Sequence, residues 1–129
     1  MILVDTSVIV AWLDAGHPEH ARCRRALEQH AGADRLAVSS VTYAELAAGG
    51  RTREAVDEDL RGFHRLDLGF DAAYRAGAAF CRFHPDKGGR RPVLPDFLIR
   101  AQAATLELPH LTNDRRRTSV FPDVQFIYP

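Results

Sequence analysis

The chain has 129 residues, 46% of them hydrophobic and 26% charged, a composition typical of one globular domain and unlike that of disordered or fibrous proteins. Seventeen basic and seventeen acidic residues leave no net charge, which argues against a broadly basic nucleic-acid-binding surface. The charge is uneven, however: residues 1–67 contain eight basic and eleven acidic residues, whereas residues 68–129 contain nine and six. We therefore expect any polyanion to bind a local basic patch in the C-terminal half.

The first half of the chain alternates short apolar runs with helical periodicity. Asp5 ends the opening run, and the side-chain oxygens of Asp5, Thr6 and Ser7 are typical of a helix cap. Glycines end three of the helical segments, at Gly16, Gly32 and Gly49-Gly50. The predicted elements are a strand at 2–4, helices at 8–14 and 18–30, a strand at 36–38, and helices at 41–48 and 52–60.

The second half continues this alternation. Residues 84–92 have turn residues without apolar periodicity, and this predicts an exposed basic loop. The predicted elements around it are a strand at 64–68, helices at 71–83 and 96–106, a strand at 110–112, a loop at 115–119 and a last strand at 124–127.

This order of elements predicts the fold. Strands that alternate with helices are joined by parallel crossovers, so we expect an α/β fold: a three-layer sandwich with a mainly parallel central sheet flanked by helices. We expect residues 1–129 to form a single domain. In such sheets, ligands bind beyond the carboxyl ends of the strands.

Two further features concern the compartment. Cys23 and Cys81 lie in predicted helices without metal-ligand spacing, so we interpret both as reduced thiols within or beside the core. No stretch approaches the roughly 18 apolar residues of a membrane span, and no signal peptide is recognisable. We therefore predict no membrane association and a cytoplasmic location.

Four acidic residues fall at predicted strand ends or just beyond them. Asp5 follows the first strand, Glu45 lies on the helix after the second, Asp96 opens a late helix and Asp114 follows another strand. Crowded carboxylates repel one another unless a cation compensates their charge. Oxygen ligands without His or Cys favour Mg²⁺ or Mn²⁺, which bridge readily to phosphate. This pattern indicates phosphodiester chemistry.

Each of these acids, taken singly, also has a structural interpretation. Asp5 is suited to capping a helix, and Asp96 to the first turn of one. Glu45 fits a solvated helix face, and Asp114 fits a turn.

Four segments together resemble the PIN-domain ribonucleases, and within them the VapC-type toxins of toxin–antitoxin pairs. Their order, their spacing and the chain length all agree with that family. The segments are Ile2-Leu3-Val4-Asp5-Thr6-Ser7, Ser39-Ser40 with Glu45, Leu94-Pro95-Asp96-Phe97-Leu98-Ile99-Arg100-Ala101-Gln102-Ala103, and Leu111-Thr112-Asn113-Asp114.

The resemblance implies a site, a cofactor and partners. It implies Mg²⁺- or Mn²⁺-dependent endonucleolytic cleavage of RNA, homodimerisation, and inhibition by a cognate VapB-type antitoxin whose tail occupies the active-site groove. The metal-binding catalytic cluster that it implies is Asp5, Glu45, Asp96 and Asp114. The supporting polar groups that it implies are Thr6 or Ser7, together with Asn113.

An acidic pocket repels RNA, so basic groups are needed beside it. Arg115 and Arg116 follow Asp114 directly, and we hypothesise that they contact the RNA backbone. Arg100, one helical turn after Asp96, is a further candidate. Lys87, Arg90 and Arg91 of the predicted loop are equally compatible with a solvated surface, and Trp12 and Tyr43 with either the core or an antitoxin groove. The six histidines lack metal-ligand spacing, and we assign them no chemistry.

Two other functions compete with the nuclease. The first is a PIN-like module that binds RNA or protein without cutting, against which the intact acids argue. The second is a phosphatase with Asp5 as its nucleophile. Such enzymes usually have a second acid two residues later, and here that position is Ser7.

Overall fold

The structure is a computed structural model that describes residues 1–84 and 92–129. Lys87, Arg90 and Arg91 of the predicted basic loop lie outside the described residues. The elements are β1 (Ile2–Val4), α1 (Thr6–Leu13), α2 (His20–Ala33), β2 (Leu36–Ser39), α3 (Ser40–Ala48), α4 (Arg53–Asp59), β3 (His64–Leu66), α5 (Phe70–Phe83), α6 (Pro95–Thr105), β4 (His110–Leu111) and β5 (Phe126–Ile127), with a 3₁₀ turn at Thr118–Val120.

The five strands form one sheet in the order β3-β2-β1-β4-β5, and every strand pair in the described part of the chain is parallel. β1 is central, with β2 on one side and β4 on the other. The predicted α/β class and its parallel sheet are confirmed. Because all strands run the same way, the segments after β1, β2 and β4 emerge at one edge of the sheet.

The core has two halves, one on each face of the sheet. Ile2 and Val4 of β1 belong to the half that contains buried residues of helices α1 to α4. Leu3, which points the other way, belongs to the half built with α5 and α6. The central strand is therefore apolar on both faces, as expected of a covered parallel sheet, and the result is a three-layer sandwich.

Several element boundaries shift by two or three residues from the predicted ranges, and two differences bear on the site and the core. α1 begins at Thr6 rather than at Val8, since the hydroxyl-bearing residues after β1 form the first helical turn and only the backbone of Asp5 occupies the cap position. Cys81 is exposed, so its assignment to the core or its margin is wrong, whereas Cys23 is buried as predicted. The buried face of α5 consists of Ala72, Ala76, Ala79 and Phe80, and Cys81 lies outside it.

None of the helices in the described residues has both the length and the apolar character needed to cross a bilayer. The longest, α2 and α5, have 14 residues each. A transmembrane helix needs about 20. The predicted cytoplasmic location is not tested by this observation and stays a prediction.

Candidate active site

A cavity of about 400 Å³ opens at the carboxyl edge of the sheet, and all four predicted acids line it. They reach it from four separate elements: the end of β1, helix α3, the start of α6 and the segment after β4. The lining residues are Asp5, Thr6, Ser7, Val10, His17, Glu19, Glu45, Asp96, Asn113, Asp114 and Arg116. The fold thus brings together carboxylates that are up to 109 positions apart in the chain.

Asp5 is a buried carboxylate held by hydroxyl groups. Its Oδ2 atom accepts hydrogen bonds from Ser7 Oγ at 2.5 Å and from Thr112 Oγ1 at 2.9 Å. The Asp5 side chain makes no cap bond to α1, although its backbone occupies the cap position. Asp5 therefore caps the helix through its backbone alone, and its carboxylate is oriented instead towards the cavity and Thr112.

Glu45 is held in the same manner from α1. Thr6 Oγ1 donates a hydrogen bond to Glu45 Oε1 at 2.7 Å, and Thr42 Oγ1 lies 3.0 Å from Thr6 Oγ1. Burial raises the pKa of Glu45 above its usual range, the Thr6 hydrogen bond opposes the rise, and the negative charges of Asp5 and Asp96 add to it. Glu45 is thus not an acid on a freely solvated helix face: its ionised form is disfavoured in this cavity without a cation.

Asp96 and Asp114 are paired with arginines rather than with hydroxyls. Arg117 Nη2 donates to Asp96 Oδ2 at 2.8 Å. Arg116 forms a fork on Asp114, with Nε 2.9 Å from Oδ1 and Nη2 3.1 Å from Oδ2. Burial acts to raise the pKa of Asp114, but the Arg116 hydrogen bonds and the charges of Arg100 and Arg116 outweigh it, and the pKa is lowered.

Arg100 lies beneath this half of the site. Its side chain is 1% exposed, and it donates to the backbone carbonyls of Arg116 at 2.7 Å and of Asp114 at 3.1 Å. Its guanidinium nitrogens are also 3.6 Å from the carboxylates of Asp96 and Asp114. The prediction that Arg100 contacts RNA is wrong, because a side chain so deeply buried has no access to a phosphate backbone.

Asn113 links three elements around the cavity. Its backbone N–H donates to Ser7 Oγ at 3.2 Å, and its side-chain Nδ2 donates to the Ser7 carbonyl at 3.3 Å. The same amide nitrogen is 3.1 Å from Cys23 Sγ on α2. Asn113 therefore positions the segment after β4 against α1, while the carboxylate beside the cavity belongs to Asp114.

Two buried residues of the site were not found from the sequence. Thr112 donates to Asp5 and accepts from the Asp114 backbone N–H at 3.0 Å, so it orients two acids at once. His110 Nδ1 is 3.1 Å from the Leu3 carbonyl, and its Nε2 is 3.8 Å from Asp5 Oδ1. Burial lowers the pKa of His110 despite the opposing charge of Asp5, which favours a neutral ring. The position of Thr112 at the end of a strand was the available signal; His110 offered none.

The four acids supply suitable donor atoms for a hard cation, but their side chains are not arranged to bind one. All four supply only oxygen atoms, the donor set that Mg²⁺ and Mn²⁺ prefer. Within residues 1–84 and 92–129, however, no three acidic, histidine or cysteine side chains are arranged to hold a metal ion as they stand. Asp96 and Asp114 are instead each paired with an arginine, Asp96 through Oδ2 and Asp114 through both oxygens.

Trp12 and Tyr43, the two candidates for an antitoxin groove, both pack against the core. The rings of Trp12 and Phe63 are 6.0 Å apart, and Tyr43 Oη donates to Asp57 at 2.9 Å. A second cavity, of about 250 Å³, lies beside the acidic one and shares Val10 and Glu45 with it. Its apolar wall consists of Val10, Leu13 and Leu46.

Comparison with known proteins gives consistent relatives. The chain is 35% identical over 78 residues to Ribonuclease VapC26 of Mycobacterium tuberculosis, a match that covers 60% of this chain and 56% of that protein, or just over half its length. The fold is similar to the crystal structure of VapBC2 from Rickettsia felis bound to a promoter DNA fragment, with a TM-score of 0.75, 20% identity and coverage of 100% and 99% of the two chains.

A third relative is VapBC-5 from Mycobacterium tuberculosis, a member of the VapBC family of toxin–antitoxin systems. Its TM-score is 0.60 and its identity 29%, and the match covers 99% of this chain and 98% of that one. These relatives confirm the resemblance to VapC-type proteins. The PIN domain family itself matches this chain over residues 2–126. The chain therefore belongs to the PIN-domain family.

Proposed function

We propose that residues 1–129 act as a single PIN domain with the activity of a VapC-type toxin: a metal-dependent endoribonuclease that a VapB-type antitoxin inhibits. The proposal rests chiefly on one observation, the meeting of four carboxylates from four elements in one cavity at the carboxyl edge of a parallel sheet. The name of the relative, Ribonuclease VapC26, supports the same activity.

Asp5, Glu45, Asp96 and Asp114 are the residues that would hold Mg²⁺ or Mn²⁺. Such an ion supplies an activated water and neutralises charge on the phosphate. The chain's own contribution is orientation: Ser7 and Thr112 fix Asp5, and Thr6 fixes Glu45. Asn113 holds the segment that contains Asp114 against α1.

Arg115 and Arg116 are the residues that we propose to contact the RNA backbone. Both are exposed, and Arg116 lines the acidic cavity. Arg115 lies over the ring of Tyr128, with its Cζ 3.9 Å from the ring centroid. Contacts of this kind contribute affinity that falls with salt, so reversing both charges should weaken RNA binding and reduce its salt dependence.

The groove lined by Val10, Leu13 and Leu46 is our candidate site for the antitoxin. This apolar wall lies beside three charged residues of the same cavity, Asp14, Glu45 and Arg51. The cavity is continuous with the acidic one through Val10 and Glu45, so a bound segment would reach the acids. An amphipathic helix suits a groove of this kind. We place the antitoxin there rather than on Trp12 and Tyr43, because neither of these residues lines that cavity.

Helix α5 is our candidate for the homodimer interface. Phe70 is 93% exposed and Tyr74 is 80% exposed, and the two lie one helical turn apart. Large aromatic side chains on one exposed helix face are typical of protein–protein contacts. Replacing both with serine should yield a monomer in light scattering after gel filtration.

The decisive test is cleavage of total RNA by partner-free protein with Mg²⁺, Mn²⁺ or EDTA. We expect cation-dependent cleavage that falls by at least about 100-fold in Asp5→Asn and in Asp96→Asn, a larger loss than the roughly 10- to 100-fold typical of residues around a metal ligand. Asp57→Asn, which changes an acid away from the cavity, is the matched control. No cleavage by folded wild-type protein would contradict the proposal.

One observation favours a second candidate, a PIN module that binds RNA or protein without cutting. Two of the four acids are paired with arginines, and the described residues contain no preformed metal site. In that case the wild-type protein would bind RNA equally well with EDTA and would release no cut product. The phosphatase alternative has less support, because Ser7 donates to Asp5 where a second acid would be needed.

A further inference from the structure

Arginines offset more than half of the negative charge of the acidic cavity. Three guanidinium groups lie on the Asp96 and Asp114 side: the buried Arg100, and Arg116 and Arg117 in direct contact with carboxylates. Together with Glu19, which also lines the cavity, five carboxylates and three guanidinium groups leave a net charge of −2 when all are ionised. A divalent cation would therefore meet much less attraction here than the number of acids suggests.

Arg117 is held against Asp96 by its surroundings. Its Nη2 atom lies 2.8 Å from Asp96 Oδ2, and its side chain is 22% exposed. Its guanidinium lies 5.9 Å from the ring centroid of Phe83 and 6.0 Å from that of Phe97. A partly buried ion pair beside aromatic rings is screened less by water than an exposed pair.

The backbone also directs Arg117 to this position. Its φ angle is +55°, in the left-handed region that residues other than glycine seldom adopt. Arg100 accounts for the turn, because it donates to the carbonyls of Asp114 and Arg116 and so fixes the chain just before Arg117. A strained backbone maintained by a buried side chain is a feature that marks functional positions.

We propose that Arg117 is a built-in counter-ion that competes with the divalent cation for Asp96, so that cation binding weakens the contact between its guanidinium and Asp96 Oδ2. This inference rests on the proposed metal site. Arg117 is a positioning residue in this account, since it acts through Asp96. By thermodynamic linkage, whatever separates Arg117 from Asp96 strengthens cation binding, and cation binding weakens the Arg117–Asp96 contact.

Arg116 and Arg100 differ from Arg117 in ways that make it the specific competitor. The Arg116 side chain is 73% exposed and pairs with an acid two residues away, so its contact is local and strongly solvated. Arg100 holds two backbone carbonyls and lies 3.6 Å from the two acids, so it is a fixed part of the framework. Arg117 alone of the three spans 21 positions to reach its partner.

The first test is calorimetric titration of Mn²⁺ and Mg²⁺ into partner-free wild type, Arg117→Gln and Arg115→Gln. Both variants lose one positive charge in the same segment, but Arg115 stacks on Tyr128 and contacts no described carboxylate within salt-bridge distance. We expect Arg117→Gln to bind the cation about five-fold or more tightly than Arg115→Gln. At a fixed Mn²⁺ concentration the rise in Tm should also be largest for Arg117→Gln.

A second measurement uses the wild-type protein and so does not depend on the folding of a variant. The Arg117 Nε–Hε signal should shift and lose protection from exchange when Mg²⁺ saturates the protein. The Arg75 Nε–Hε signal is the control, because its ion pair with Asp123 lies outside both the acidic cavity and the second cavity beside it. An Arg117 signal that does not change at saturation would overturn the inference.

The outcomes separate the two proposals. If wild type binds the cation and Arg117→Gln binds it no more tightly than Arg115→Gln, the competition is disproved and the proposed metal site stands. If the wild type and both variants fail to bind either cation, the metal site and the competition are both disproved. Tighter binding by Arg117→Gln together with the signal change in the wild type supports both.

Discussion

The two halves of the acidic cavity compensate their charges in different ways. Asp5 and Glu45 accept hydrogen bonds from Ser7, Thr112 and Thr6, none of which has a charge. Asp96 and Asp114 instead contact guanidinium groups. Asp5 and Glu45, the hydroxyl-held half, are oriented by neutral groups that leave their negative charge uncompensated. Asp96 and Asp114, the arginine-held half, are largely neutralised by the arginines of the protein itself.

This difference indicates a division of labour within one cavity. A hydroxyl group fixes the direction of a carboxylate without competing with a cation, because it supplies a single, uncharged hydrogen bond. A guanidinium group fixes and neutralises the carboxylate together. We therefore expect the hydroxyl-held half to define where a cation binds, and the arginine-held half to determine how tightly. The following changes test that distinction.

Arg100→Met should have the largest effect on stability. It removes a buried positive charge that lies between Asp96 and Asp114. The solvent cannot supply another cation at this buried position. Removing one partner of a buried ion pair lowers the free energy of unfolding by about 3–5 kcal/mol, because the remaining charges are left uncompensated. Urea unfolding measures the loss, with Arg115→Met, expected within about 0.5 kcal/mol of wild type, as the exposed control. Equal midpoints for the two variants would contradict this account of the arginine-held half.

Thr112→Val should have the next largest effect and should act on the hydroxyl-held half. It removes a hydroxyl that donates to Asp5 and accepts from the Asp114 backbone. An unpaired buried polar group costs about 1–3 kcal/mol, and loss of a residue that orients a metal ligand reduces activity about 10- to 100-fold. Thr112→Ser keeps the hydroxyl, so it should retain most of the stability in unfolding assays and most of the activity in cleavage assays. Cleavage by Thr112→Val at the wild-type rate would show that Asp5 needs no such support.

Glu45→Gln should change how stability depends on pH in EDTA. Because the pKa of Glu45 is raised, the folded protein holds this proton more tightly than the unfolded chain does. Ionisation of Glu45 therefore lowers the stability of the wild type as the pH rises from the ordinary glutamate range, about 4.3, through the raised pKa. The glutamine variant lacks this loss, so its stability relative to wild type should increase over that range in thermal unfolding. A difference in stability between Glu45→Gln and wild type that does not vary with pH would argue against a raised pKa for Glu45.

Arg116→Gln should have the smallest effect on stability. The Arg116 side chain is mostly exposed, so the folded state depends little on its pair with Asp114. The change should instead be local: the lowered pKa of Asp114 should rise towards its usual value when the Arg116 hydrogen bonds are lost. Titration of the Asp114 carboxyl by NMR measures this shift, with added salt producing a partial shift in the same direction in the wild type. An unchanged Asp114 titration would mean that Arg100 alone lowers this pKa.

The sequence by itself determined the fold class of the protein. The apolar run Ile2–Val4 and the alternation of strands with helices predicted the parallel α/β fold, because a strand covered on both faces must be apolar throughout. The acids could be placed from the same information, since the carboxyl ends of parallel strands meet at one edge. Their order along the chain therefore predicted that Asp5, Glu45 and Asp114 meet at one edge, whereas Asp96 opens a helix that no strand directly precedes, and its place in the same cavity was implied by the resemblance.

Only the tertiary structure decided what surrounds each carboxylate. Arg100 looked available to RNA from its spacing, but the packing of α6 buries it beneath the site. Arg117 reaches Asp96 through a left-handed turn that no residue type in Arg115-Arg116-Arg117 specifies. The physical reason is that local patterns fix which face of an element is buried, whereas the partner of a charged side chain depends on contacts between segments far apart in the chain.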